Sequence, residues 1–312
     1  MLIPVSSEQR IALIDLFKNL FKAMNTLSIS NLSKTYPNGV EALKGVSIEI
    51  NNGLFGLLGP NGAGKSSLMR TIATLQKPDS GSVILNQINV EEHPQYIRKS
   101  LGYLPQEFGV YPTMTAEILL DHFAVLKGIS DRKTRKERVD YLLDQTNLFQ
   151  HRKKKLGGFS GGMKQRFGIA QALLANPSLI IVDEPTAGLD PTERNRFHNL
   201  LSELGQEAIV ILSTHFVDDV KELCTNMAIL NSGKLLWKGS PQQAINEIEG
   251  KVFSRQISRS QIHDYKEEYS VIAEQLFQGK PLIYIYSESD PGQGFLPVEP
   301  DLNHVYFNKV HS

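Results

Sequence analysis

The residues from Gly59 to Ser66 have the types and the spacing needed to bind a phosphate group. They read Gly-Pro-Asn-Gly-Ala-Gly-Lys-Ser, and they lie between a short apolar run, residues 54–58, and a helical pattern that starts near residue 65. Glycines lack a Cβ atom, so the backbone can adopt positive φ and turn its N–H groups toward an anion. The lysine brings a positive charge to the β- and γ-phosphates, and the serine hydroxyl is a ligand for Mg²⁺. The stretch therefore predicts a nucleoside triphosphate site on a strand, loop and helix.

This stretch resembles the Walker A loop of nucleoside triphosphatases. The alternative is a glycine-rich turn that contains a lysine by chance, but the strand before it and the helix after it disfavour that interpretation. The resemblance implies that ATP contacts the loop and the first helical residues, which are Gly59, Pro60, Asn61, Gly62, Ala63, Gly64, Lys65, Ser66 and Ser67.

Polar side chains follow three other short apolar runs. Asp183 and Glu184 end the unbroken run 179–182, which is typical of a strand buried on both faces of a parallel sheet. Two carboxylates there are costly unless they meet a cation or a polar substrate. His215 follows the run 208–212, and its place beside other polar strand ends favours a functional role over a satisfied core histidine. Gln106 follows a strand at 101–104, and on spacing alone it is a solvated loop residue.

A second glycine-rich helix start lies between these strands. Ser160, Gly161 and Gly162 precede a helical pattern from 163 to 174. Bare glycines at a helix start are a plausible anion site, and a serine cap is the alternative. The pattern leaves both interpretations open.

Composition limits the classes of partner. Lys plus Arg equals Asp plus Glu at 33 each, so no net field attracts nucleic acid or an anionic membrane. Cys224 is the single cysteine, which excludes an internal disulfide, and its apolar helical setting favours a buried small side chain over a reactive thiol. No stretch reaches the roughly 18 uncharged apolar residues of a membrane span.

The chain divides into three predicted regions. Residues 1–24 carry apolar residues at helical spacing, and an amphipathic helix and a non-native start before Met24 are equally favoured. Residues 25–248 form the main domain, and residues 249–312 form a small accessory domain. In that accessory domain we expect strands at 251–257 and 282–286, a helical stretch at 261–276, and a short helix or strand at 301–307.

These segments together are similar to the nucleotide-binding domain of ABC transporters over roughly residues 26–248. The Ser-Gly-Gly signature carries this resemblance beyond Walker A, although Phe159 stands where many members have leucine. The resemblance implies an α/β fold: a P-loop NTPase core with a mostly parallel sheet, an N-terminal antiparallel β subdomain, a helical signature subdomain and a small C-terminal α+β appendage.

The same resemblance implies roles for single residues. Glu184 looks like the catalytic carboxylate, His215 like the switch histidine and Gln106 like the Q-loop residue. Tyr36 would stack on adenine, residues 187–190 would form the D-loop, and ATP would also contact Ser160, Gly161 and Gly162 of a second subunit. Mg²⁺ would be bound by Ser66, Gln106 and Asp183.

The implied activity is ATP hydrolysis that powers a membrane exporter. The ending Pro300-Asp-Leu-Asn-His-Val-Tyr-Phe307 is similar to the terminus of ABC-2 type exporter ATPases. The partners would be a second ATP-binding subunit and separate transmembrane permease subunits, which would dock at residues 107–120 and hold the protein peripherally at the cytoplasmic face of the cell membrane. Two alternatives are a soluble, non-transport ABC ATPase and an ATP-gated clamp without turnover.

Overall fold

Three β-sheets organise the part of the chain that this computed structural model describes, residues 24–106, 109–186 and 189–311. The strands are β1 (Thr26–Thr35), β2 (Glu41–Asn51), β3 (Gly53–Leu58), β4 (Ser80–Leu85), β5 (Ile88–Asn89), β6 (Leu101–Leu104), β7 (Leu179–Asp183), β8 (Ile209–Thr214), β9 (Asn226–Asn231), β10 (Lys234–Gly239), β11 (Val252–Gln256), β12 (Val271–Phe277), β13 (Lys280–Tyr286) and β14 (Leu296–Pro297).

Helices connect and cover these sheets. They are α1 (Lys65–Ile72), α2 (Pro94–Ser100), α3 (Ala116–Leu126), α4 (Arg132–Gln145), α5 (Gly161–Ala172), α6 (Pro191–Gly205), α7 (Val217–Leu223), α8 (Pro241–Glu247), α9 (Ile262–Glu268) and α10 (Leu302–His311). The predicted N-terminal helix, apart from Met24, lies outside the described residues, and so do residues 107–108 and 187–188 of the predicted docking surface and D-loop.

The central sheet has the order β10-β9-β3-β8-β7-β6 and is parallel except at β10, as predicted. Every residue of β7 is buried, which explains its unbroken apolar sequence. In the β7–β8 pairing Asp183 lies opposite Ser213, and in the β3–β8 pairing Leu58 lies opposite Thr214. The polar strand ends therefore meet at one edge of the sheet, next to the loop that follows β3.

The N-terminal β subdomain is the antiparallel sheet β2-β1-β4-β5, which was also predicted. Its apolar face shares a core with α1 and with one side of the central sheet, including Leu27, Met69 and Ile211. Helix α1 thus packs against the N-terminal sheet and against the central sheet. This packing holds the loop between β3 and α1 in place.

The helical subdomain consists of α3, α4 and α5. The helical pattern between residues 115 and 145 forms two helices, because the chain turns at Gly128 with φ of +90°. Thr115 and Asp131 cap the two N-termini by accepting hydrogen bonds from the N–H groups of Ile118 and Thr134. Leu120, Leu143 and Phe167 bury this subdomain in the same core as the central sheet.

The accessory region corrects one prediction. Residues 261–276 were expected to be helical, but α9 ends at Glu268 and β12 begins at Val271. The strand forms because β12 and β13 pair through a two-residue turn at Gln278 and Gly279, which have φ of 51° and 80°. Pairing across that turn overrides the helical spacing.

The final helix α10 packs against the larger part of the molecule. Leu302, Val305 and Tyr306 lie in the same core as the helical subdomain and α8. The Nζ atom of Lys309 lies 3.0 Å from Glu247. The side-chain amide of Asn231 donates to the carbonyl oxygen of Val310 at 3.2 Å. No helix within the described ranges is both long enough and apolar enough to span a bilayer.

We expect Leu302→Ala to lower the free energy of unfolding by about 2–4 kcal/mol, because Leu302 is fully buried and its truncation leaves a cavity. Leu296→Ala is the control, since Leu296 is 67% exposed and should change stability by less than about 0.5 kcal/mol. Urea unfolding measures both values. Equal effects of the two substitutions would show that α10 is not part of this core.

Candidate active site

A cavity of about 620 Å³ lies where the polar strand ends meet the loop between β3 and α1. This is the position at which α/β sheets bind ligands, beyond the carboxyl ends of the strands. The residues that line it are Tyr36, Gly39, Val40, Glu41, Ala42, Lys44, Pro60, Asn61, Gly62, Ala63, Gly64, Lys65, Ser66, Ser67, Gln106, Asp183, Glu184 and Ser232.

The loop from Gly59 to Gly64 has a backbone that requires glycine. Gly62 and Gly64 have φ of +80° and +105°. A Cβ atom on Gly64 would lie 2.3 Å from the carbonyl oxygen of Ala42, and one on Gly59 would lie 2.3 Å from that of Leu230. Helix α1 begins immediately afterwards, so its free N–H groups and its positive dipole end face the cavity. The loop therefore fits a polyanion such as a triphosphate.

Lys65 is held inside this loop. Its Nζ atom donates to the carbonyl oxygens of Gly59 at 2.6 Å and Pro60 at 3.1 Å. Burial lowers the pKa of Lys65, whereas the carboxylates of Glu184 and Asp183 act to raise it. The ammonium group thus interacts with two carboxylates of the cavity lining, and a phosphate oxygen would be its natural partner there.

Glu184 forms the centre of a hydrogen-bonded group. Its Oε2 atom accepts from the side-chain amide of Gln106 at 2.8 Å, and its Oε1 atom lies 2.8 Å from Nδ1 of His215. Its backbone N–H donates to the carbonyl oxygen of Ser213 at 2.8 Å. Glu184 also has φ of 47°, a left-handed conformation that costs a non-glycine residue of order 1 kcal/mol and is frequent at functional sites.

Asp183 lies next to Glu184 and is buried, at 7% exposed. Burial raises the pKa of its carboxyl group, and the neighbouring Glu184 acts in the same direction, while Lys65 and Arg70 act to lower it. A bound cation would remove this penalty. The Asp183 and Ser66 side chains both line the cavity, and a carboxylate with a hydroxyl is a donor pair that suits Mg²⁺.

Tyr36 also lines the cavity. Its hydroxyl group lies 3.0 Å from Oγ of Ser67 and donates to Oε1 of Gln76 at 3.0 Å. These contacts fix the ring beside the first turn of α1. Stacking of this ring on adenine stays a prediction.

Ser160, Gly161 and Gly162 lie elsewhere and do not line the cavity. Ser160 caps α5 by accepting a hydrogen bond from the N–H group of Met163 at 3.2 Å. A Cβ atom on Gly162 would lie 3.5 Å from Leu189, whereas one on Gly161 would meet nothing within 4 Å. Of the two interpretations of this helix start, the serine cap is observed. Because these residues do not line their own cavity, they could bind a phosphate only if a second molecule carried it to them.

Sequence reasoning missed several residues of the cavity wall, namely Gly39, Val40, Glu41, Ala42, Lys44 and Ser232. Most of them belong to β2 or the turn before it, and Ser232 lies in the turn between β9 and β10. That turn is tied to the phosphate loop because the N–H group of Gly233 donates to the carbonyl oxygen of Ala63 at 3.0 Å. Such contacts join distant parts of the chain, so local sequence patterns do not reveal them.

We expect Gly64→Ala to weaken ATP binding by at least about tenfold, because the new methyl group would clash with backbone and would be held at an unfavourable φ. Gly250→Ala is a matched control: Gly250 also has positive φ, at +71°, but open space surrounds it. Titration of both variants with a fluorescent ATP analogue measures the affinities. Equal losses in the two variants would contradict the fitted phosphate loop.

Comparison with known proteins finds relatives that match most of this chain. The family model described as ABC transporter matches residues 43–187. The chain is 37% identical over 244 residues to the uncharacterized ABC transporter ATP-binding protein YxlF of Bacillus subtilis, which covers 78% of this chain and 80% of that protein. It is 32% identical to the daunorubicin/doxorubicin resistance ATP-binding protein DrrA of Streptomyces peucetius (85% and 78% covered). It is 34% identical to the Nod factor export ATP-binding protein I of Rhizobium etli (73% and 72% covered).

A solved structure shows the same fold. It is the dimeric post-hydrolysis state of the ATP-binding cassette MJ0796 bound to ADP and Pi, which is 28% identical with a TM-score of 0.63. The match covers 69% of this chain and 98% of that structure.

Proposed function

This chain belongs to the family of ABC transporter ATP-binding proteins, and on that premise we propose that it is the ATP-hydrolysing subunit of a membrane exporter. One observation carries the proposal: Gln106 and Glu184 line the same cavity as a glycine loop that contains a buried lysine, and His215 is hydrogen-bonded to Glu184 from outside that lining. An acid–base group beside a triphosphate cradle is what hydrolysis of the γ-phosphate requires.

The phosphate loop would neutralise and orient the substrate. Lys65 would exchange its two backbone carbonyl partners for phosphate oxygens, and the N–H groups at the start of α1 would hold the remaining charge. A magnesium ion bound by Ser66 and Asp183, with Gln106 nearby, would supply further charge neutralisation. Tyr36 would support the adenine ring.

Glu184 would act on the attacking water. Its carboxylate is the centre of the group, and its two oxygens are held by Gln106 and His215. A carboxylate fixed from both sides can accept a proton from a water molecule that is aligned with the γ-phosphate. His215, whose side chain is 41% exposed, would orient Glu184 and contact the γ-phosphate from the open side of the cavity.

A second copy would complete the site. Ser160, Gly161 and Gly162 lie outside their own cavity, yet they offer a serine hydroxyl and helix N–H groups. We propose that these groups bind the γ-phosphate held by a second subunit, so that two ATP molecules join a head-to-tail dimer. MJ0796 forms a dimer in its ADP and Pi state. Hydrolysis would then release the two halves and drive the conformational change of the exporter.

Permease subunits would be the membrane partners. DrrA is named as a drug resistance protein, and the Rhizobium etli relative is named as an export protein. These names favour an exporter over a soluble ABC ATPase. The proposed docking surface is 107–120, where Tyr111 and Ile118 are 60% and 57% exposed. Exposed apolar residues of this kind suit a contact with a helix of another protein. The protein would thus lie at the cytoplasmic face of the membrane.

Two measurements test the proposed function together. Purified protein should hydrolyse ATP to ADP and phosphate, whereas a clamp would bind ATP without releasing phosphate. Tagged protein isolated from solubilised membranes should carry a protein with several membrane spans, and a variant with Tyr111→Ser and Ile118→Ser should lose it. ATP hydrolysis without any membrane partner would favour the soluble ABC ATPase instead.

A further inference from the structure

Asp219 is a buried carboxylate that the proposed chemistry does not use. It lies on α7 and is 0% exposed. It accepts hydrogen bonds from Oγ1 of Thr186 at 2.7 Å and from Nη2 and Nε of Arg194 at 2.6 and 3.0 Å. Nε2 of His198 lies 3.1 Å from the same carboxylate. Burial alone would raise the pKa of Asp219, but the hydrogen bonds from His198, Thr186 and Arg194 hold it below its ordinary value.

The donors to Asp219 come from the chain that follows Glu184. Thr186 is two residues after Glu184, and Arg194 and His198 lie on α6, directly after residues 187–190. Asp219 therefore holds both ends of the segment between β7 and α6: Thr186 in the turn after β7, and Arg194 and His198 on α6. Because Glu184 has φ of 47°, its conformation depends on what the surrounding chain imposes.

Asp219 also follows His215 closely in the chain. Helix α7 begins at Val217, two residues after His215. The rings of His215 and Phe216 have centroids 4.1 Å apart, and the guanidinium of Arg194 lies 6.0 Å from the centroid of the Phe216 ring. Arg194 thus contacts Asp219 on one side and the neighbour of His215 on the other. One buried carboxylate connects the segments that carry both partners of the Glu184–His215 pair.

A buried charge of this kind is weak evidence for stability. Apolar residues of similar volume often stabilise a protein as well as a buried ion pair does, so specific geometry is the better reason for such a group. The four hydrogen bonds around Asp219 specify one arrangement of three segments, and two of these segments lead directly to the residues of the candidate site.

We propose that Asp219 is a positioning residue for ATP hydrolysis: through Thr186 and Arg194 it holds the Glu184 carboxylate and the His215 imidazole in register. This inference rests on the proposed function. It predicts that loss of the Asp219 contacts lowers kcat while the affinity for ATP stays nearly unchanged, because in the described part of the chain no hydrogen bond joins Lys65 or the phosphate loop to Asp219 and its donors.

The test compares Thr186→Val and Asp219→Asn with the control Glu222→Gln. Thr186→Val removes a single donor and keeps the side-chain volume. Glu222 is 60% exposed and touches the cluster only at its edge, 3.3 Å from Nδ1 of His198. We expect kcat to fall by about tenfold or more in the first two variants, with KM for ATP changed by less than about threefold, because small displacements of catalytic groups have large effects on rate. Glu222→Gln should keep kcat within about twofold.

Thermal unfolding and ATP affinity complete the test. The proposal is overturned if folded Thr186→Val hydrolyses ATP at the wild-type rate, or if kcat and ATP affinity fall together. Thr186→Val keeps the proposal testable should Asp219→Asn fail to fold. Wild-type protein and Glu184→Gln distinguish failure of the proposed function from failure of this inference. If wild type hydrolyses ATP and Glu184→Gln does not, the proposed function stands. A wild-type rate in Thr186→Val then refutes only the role of Asp219. If wild type itself does not hydrolyse ATP, the proposed function and this inference are both refuted.

Discussion

Glu184→Gln is expected to reduce the rate of ATP hydrolysis by at least about a hundredfold, while ATP still binds. The amide has nearly the same shape as the carboxylate, and the phosphate loop does not depend on it, so the cavity should keep its form. An amide cannot accept the proton of the attacking water at neutral pH. The carboxylate lies within 2.8 Å of both Gln106 and His215, which places it at the centre of the acid–base group.

A phosphate-release assay measures the rate of hydrolysis, and titration with ATP shows whether the Glu184→Gln protein still binds the nucleotide. Glu203→Gln is the matched control, because Glu203 is an exposed glutamate of α6 outside the cavity, and it should keep the wild-type rate. If folded Glu184→Gln retained more than about a third of the wild-type rate, general-base catalysis by Glu184 would be refuted.

Lys65→Ala is expected to lower the affinity for ATP by at least about tenfold and to lower turnover with it, because a hydrogen bond to a charged group contributes about 1.5–3 kcal/mol. Lys65 is 6% exposed and close to two carboxylates. Without the ammonium group, Asp183 and Glu184 would repel the triphosphate, so turnover should fall together with affinity.

Titration with a fluorescent ATP analogue measures the Lys65→Ala effect, and thermal unfolding shows whether the fold persists. Lys99→Ala is the control, because Lys99 is exposed on α2 and does not line the cavity. ADP should lose less affinity than ATP, since Lys65 is expected to contact the γ-phosphate. Unchanged ATP affinity in Lys65→Ala would contradict the assignment of this cavity to nucleotide.

Single strands of the fold follow from local sequence patterns, whereas the architecture of the sheets follows from the family resemblance. The unbroken apolar run of β7 predicts a buried parallel strand, and all five of its residues are buried. The mostly parallel core and the antiparallel N-terminal sheet were predicted from the family resemblance, and both are confirmed. The accessory region was harder, because the pairing of β12 with β13 depends on a hairpin that overrides local spacing.

Some residues of the candidate site could be predicted from local sequence, and others could not. Glycines at 59, 62 and 64 are visible in sequence because positive φ or close backbone approach leaves a residue-type signature. The hydrogen bonds from Gln106 and His215 to Glu184 join positions 78 and 31 residues apart, so spacing alone could not place them. Asp219 gave no sequence signal, because an aspartate on a short helix is usually solvated. Its burial appears only when α6 and α7 pack together.

The most direct test of the shared nucleotide site is the association state of Glu184→Gln with ATP and Mg²⁺, measured by light scattering. We expect a dimer with ATP, a monomer with ADP, and a monomer that still binds ATP when Gly161→Glu is added. A Cβ atom at Gly161 would meet nothing within 4 Å in its own subunit, so a glutamate can start there without a clash, and we expect it to repel the phosphate of a second subunit. A Glu184→Gln protein that binds ATP and stays monomeric, or a dimer that Gly161→Glu leaves intact, would contradict the account.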